Sequence, residues 1–120
     1  MMSDALVEEN ASEKEFESLY SDLNAARAAF FDPNADQSDE AGDARCDRYF
    51  MAERTFMATP APRPCWVWMK WEVLEIAVTR DITDGRHNDN RIVTMISSIK
   101  ADHLRFERER LGQRMRHVAA

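Results

Sequence analysis

Only three glycines and four prolines stand among the 120 residues of this chain. Tight turns draw heavily on both residue types, and an all-β fold of this length needs many turns. Their scarcity argues against such a fold. Three dispersed glycines also cannot supply a glycine-rich phosphate loop. Two cysteines, Cys46 and Cys65, do not make a disulfide framework and read as ordinary packed thiols of a reduced, cytoplasmic protein. The opening MMSDALVEENASEKE is acidic and lacks the basic-then-apolar order of a secretory signal. The longest apolar stretch, Cys65 to Val78, is interrupted by Lys70, Glu72 and Glu75, so no membrane span and no membrane partner are expected.

The usual marks of catalysis and metal binding are missing as well. His87, His103 and His117 lie far apart, with no CxxC, HxxxH or HExxH. Counted as a calcium loop from Asp81, the stretch DITDGRHNDN has Arg86 where glycine belongs and, further on, Ile92 where glutamate belongs. Ser97 and Ser98 have no base near in sequence, and Glu72 and Glu75 read as a solvated helix face. The expectation is a protein that is not an enzyme, with no cofactor and no metal.

What the chain does contain is helix-forming residues, Ala, Glu, Arg, Met and Leu. Phe16, Leu19, Leu23, Ala26 and Phe30 recur at alternating spacings of three and four, with Tyr20 beside them, which is one face of a helix. Ser12 and Glu15 form a capping-box signature ahead of that seam, and Pro33 follows it, so the first helix is predicted over 12–32. Asp36, Ser38 or Asp39 is placed to cap a second helix over 39–58, whose stripe is Cys46, Tyr49, Phe50, Phe56 and Met57. TPAPRP then forms a stiff corner. A third helix is predicted over 64–80, with Pro64 in its first turn and Lys70, Glu72, Glu75 and Thr79 on its polar side. It should be the most buried, although CWVWMKWEV is also rich in strand-favouring residues. Beyond the polar RDITDGRHNDN, the stripe Ile92, Ile96, Ile99, His103 and Phe106, with Met95 and Leu104 alongside, predicts a fourth helix over 89–111 that Gly112 ends. His103 on that stripe reads as a core or rim histidine. The expected architecture is a single all-α domain over 1–120, two antiparallel helical hairpins joined by the proline-rich corner, with 1–11 and 113–120 as frayed ends.

The end of the second helix reads ERTFMATPA, with Glu53, Phe56, Thr59, Pro60 and Ala61 at set spacing and Lys70 early in the next helix. This step resembles a group of small, uncharacterised helical proteins of alphaproteobacteria and their prophages. The chain departs from their pattern in having PRPCWVW where a Thr and a Gly are expected. The resemblance implies a helical third segment and a phage or mobile-element setting, and it implies no activity.

Two features point to partners. Trp66, Trp68 and Trp71, all the tryptophans of the chain, fall within six residues. Tryptophan is favoured at binding hot spots because it buries large area at small entropic cost. On a helix Trp66 and Trp68 diverge by about 200°. One core does not easily take all three, so either one lies at a boundary, or Trp68 and Trp71 form the core while Trp66 packs on the proline corner. The second feature is charge. Residues 1–60 carry 14 acids and 5 bases, residues 61–120 carry 8 and 11, and the basic excess lies in Arg105, Arg108, Arg110, Arg114 and Arg116. Three readings are open: a non-enzymatic module that binds a protein partner or a second copy as a homodimer; an acidic, anti-CRISPR-like inhibitor of a host nucleic-acid machine; and a weak nucleic-acid binder using the arginine-rich end.

Overall fold

The computed structural model describes the backbone of residues 4–84 and 89–119 and the side chains of residues 11–80 and 90–116. Among the described residues there are four α-helices and no strand: α1 Asp4–Phe30, α2 Asp39–Ala58, α3 Val67–Asp84 and α4 Asp89–Ala119, with a 3₁₀ turn at Pro64–Trp66 ahead of α3. The chain divides into two compact units, Met1–Pro62 and Arg63–Ala120.

The first unit is the hairpin of α1 and α2. The rings of Phe16 and Tyr20 pack at a tilt on Phe56 near the far end of α2, at 4.7 and 5.5 Å between centroids, while Phe30 meets Tyr49 at 5.3 Å nearer its start. That order makes the two helices antiparallel. Phe16, Leu23, Ala26, Tyr49, Phe56 and Met57 are buried, with Leu19, Tyr20 and Phe30 at the margin. Phe50, expected on the inner stripe, faces out, and Glu53 takes the place one turn on from Tyr49. The turn between the helices closes locally. The Asn34 N–H donates to Asp32, the Ser38 N–H donates to Asp36, and the Ser38 hydroxyl accepts from the Ala41 N–H as the N-cap of α2. Thr59 leaves the helix in an extended conformation directly before Pro60.

The second unit is the hairpin of α3 and α4. Lys70, near the start of α3, meets Ser98 and Asp102 well inside α4, and Asp84 ends α3 just before Asp89 opens α4. These helices also run antiparallel. Val67, Val73, Leu74, Ala77, Met95 and Ile99 are the buried apolar residues between them. With Lys70 added, α3 has the most buried positions of the four helices among the described residues.

Several boundaries differ from those predicted. α1 begins at Asp4, so Ser12 and Glu15 lie within the helix and do not cap it. Residues 5–11 contain neither Gly nor Pro, and nothing stops the helix there. Pro64 to Trp66 wind as 3₁₀ before α3, and α3 continues to Asp84, through the first part of the polar stretch RDITDGRHNDN. Gly85 and His87 lie outside the described residues. α4 passes through Gly112 without ending. Cys65 is exposed rather than packed, while Cys46 is half-buried.

Candidate functional site

Among the described side chains of α3 the buried positions are 67, 70, 73, 74 and 77, one face at helical spacing, and Lys70 falls inside it. It does not join Glu72, Glu75 and Thr79 on the polar side. On α4 the buried face is Met95, Ile99 and Asp102, so the expected stripe is turned: Ile96, His103 and Leu104 face outward. The two buried charges meet. The Lys70 ammonium lies 2.7 Å from one Asp102 oxygen and donates to the Ser98 hydroxyl at 2.9 Å, while Arg105 donates to the other Asp102 oxygen at 3.0 Å. Lys70 and Asp102 are only 1% and 2% exposed. Burial pushes the Lys70 amine below its ordinary value, contact with Asp102 pulls it back, and Arg105 adds a smaller downward push.

A lysine against a serine hydroxyl is also how some nucleophilic serines are activated. Here the ammonium is tied to a carboxylate, and Ser98 sits mid-helix, where backbone N–H groups are committed to the helix ladder and none is free to stabilise an oxyanion. The cluster reads as a pin that fixes α3 against α4 in one register. Among the described residues no group of three or more His, Cys, Asp or Glu side chains is placed to hold a metal. No described helix is long and apolar enough to cross a membrane.

The pin sets the outer surface of the same hairpin. At helical spacing Trp71 is turned about 100° and Trp68 about 160° from Lys70 around α3, and both rings lie off the buried face, 54% (Trp68) and 49% (Trp71) exposed. Trp66 is half-buried at the 3₁₀ turn. The arrangement in which Trp68 and Trp71 fill the core is thus overturned: at helical spacing the inner face is already taken by Val67, Lys70, Val73, Leu74 and Ala77. The Trp71 ring lies 6.3 Å from that of His103, which links α3 to α4 on the outside. Ile96 and Leu104 are also exposed on α4, and Glu72 and Glu75 lie beside the tryptophans on α3.

The predicted arginines do not form one cluster. Arg105 turns back onto Asp102 and stacks over Phe106 at 4.5 Å. Arg110 pairs with Glu107. Arg108 and Arg114 are exposed on the part of α4 that continues past the level at which α3 begins.

No family model matches this chain, and neither a curated protein nor a solved structure is significantly similar to it.

Proposed function

We propose that the chain is a non-enzymatic protein-interaction module whose contact face is built on Trp68 and Trp71, with His103 beside them. The observation that carries this reading is the outward placement of two adjacent tryptophans on a hairpin locked by a buried ion pair. Exposing two indoles is costly in water, and the cost is recovered when a partner covers them. A rigid aromatic pair loses little entropy on binding, which suits it to the centre of an interface. Glu72 and Glu75 at its edge favour a partner with a basic rim around an apolar patch.

The test is a tagged pull-down from the native host with nuclease present, comparing the wild type with Trp68→Ala/Trp71→Ala. A protein held by the wild type and lost by the double variant, at unchanged helix content, supports the reading. Retention by the variant, or recovery of nucleic acid alone when nuclease is left out, overturns it.

A further inference from the structure

The apolar surface of α4 has two sides. Met95, Ile99 and Asp102 face inward, whereas Val93, Leu104, Leu111 and Met115 are exposed. At about 100° per residue these four lie within about 40° of one another, on the side opposite the buried set. Past the level at which α3 begins, α4 continues to Ala119, so Leu111 and Met115 project on a helix end flanked by Arg108 and Arg114. Met115 is 73% exposed. This end is an amphipathic basic helix with its apolar side in water.

In the first unit a groove of about 360 Å³ runs along the outside of the α1–α2 hairpin. Leu19, Met51 and Ala52 line it, Met51 being 64% exposed, and Asp22, Asp47 and Arg48 border it. It extends over about two turns of α2. Two acids and one base border it, and the half of the chain that carries it, residues 1–60, sums to −9 against +3 for residues 61–120.

We propose that these two surfaces recognise each other between copies: the basic end of α4, residues 104–116, seats its Leu104–Leu111–Met115 side in the α1–α2 groove of a second copy of this chain. Each face lies on the outside of its own hairpin, clear of the core that packs that hairpin. Apolar contact supplies the adhesion, and Arg108 and Arg114 against Asp22 and Asp47 set the direction. The contact joins two different surfaces, so it either closes reciprocally into a dimer or propagates head to tail. It is independent of the tryptophan face.

Sedimentation velocity over roughly a hundredfold range of protein concentration reads the proposal. The wild type self-associates, as a dimer or a growing series, and less so as salt rises, because rim ion pairs are screened. Leu111→Glu/Met115→Glu weakens association by about a hundredfold, since each lost apolar contact is worth about tenfold or more. Trp68→Ala/Trp71→Ala leaves it intact, which separates this proposal from the one above. Two further variants guard against misfolding. Asp22→Lys/Asp47→Lys and Arg108→Glu/Arg114→Glu each associate poorly alone, and a mixture of the two recovers association, because the reversed groove now suits the reversed helix end. A wild type monomeric throughout overturns the proposal. So does a mixture of folded charge-reversed chains that stays monomeric.

Discussion

At position 70 an ammonium group occupies a place where helical spacing asks for an apolar side chain. Removing it alone leaves the buried Asp102 carboxylate without its lysine counter-charge. Lys70→Met is therefore expected to cost about 3 kcal/mol or more in urea unfolding, as broken buried pairs do. Lys70→Met/Asp102→Leu should recover most of that loss, because no charge then remains inside. The alkaline limb tests the same residue. The folded state holds the Lys70 proton less tightly than the unfolded chain does, so just below 10.5 the unfolded chain binds more protons. Lys70's contribution to stability then rises with pH in that window, and the wild type should gain on Lys70→Met as pH climbs towards 10.5. Arg27 is a second internal misfit. It donates to Asn24, but its Nε and other terminal nitrogen are buried without a partner. Arg27→Met should raise stability by about 1 kcal/mol, read from the same unfolding curves. The burial of Lys70 was legible in the spacing 67, 70, 73, 74, 77. Its partner was not, since nothing local to Asp102 signals a lysine on another helix. The outward tryptophans follow from the same spacing once Lys70 is placed inside, and a lysine's usual preference for the polar side hides that arrangement.

Helices begin and end where the chain compels them, and the boundaries show which signals compel. α2 starts at Ser38 and stops ahead of Pro60 because a cap and a proline act there directly. Ser12 with Glu15 marks a place where a helix is able to start, yet good helix formers precede it and α1 runs straight through. Gly112 similarly permits an ending without enforcing one. A Cβ at Gly112 meets nothing within 4 Å, so Gly112→Ala should stabilise α4 by about 1 kcal/mol, seen as a higher thermal midpoint by circular dichroism. Ser38→Ala should cost about 1 kcal/mol through the lost bond to the Ala41 N–H. The carboxyl of Asp36 reports on the same turn. It accepts from the Ser38 N–H, which together with the serine hydroxyl holds it below the ordinary 3.8. A depressed acid stabilises the fold above its unfolded value, and that support is lost as pH falls through the folded one. A carboxyl-carbon NMR titration should find the Asp36 midpoint below 3.8, moving part of the way back in Ser38→Ala.

Across the whole molecule, the two compact units carry different kinds of core and different chromophores. The unit Met1–Pro62 is held by interlocking aromatic rings, Phe16, Tyr20, Phe30, Phe31, Tyr49 and Phe56, and contains both tyrosines. The unit Arg63–Ala120 buries smaller aliphatic side chains around an ion pair and contains all three tryptophans. Aromatic side chains bury more area each, and ring pairs add about 0.5–1.5 kcal/mol beyond it. A buried ion pair adds little net stability, because desolvation offsets most of the attraction. The second unit is therefore expected to unfold first. Tryptophan emission, excited where tyrosine does not absorb, should lose its native signal at a lower urea concentration than tyrosine near-ultraviolet dichroism, with far-ultraviolet dichroism spanning both transitions. Lys70→Met should shift the tryptophan transition and leave the tyrosine one nearly in place. Coincident transitions that move together in the variant would mean that the chain unfolds as one cooperative body, and that the ranking of the two cores has no separate consequence.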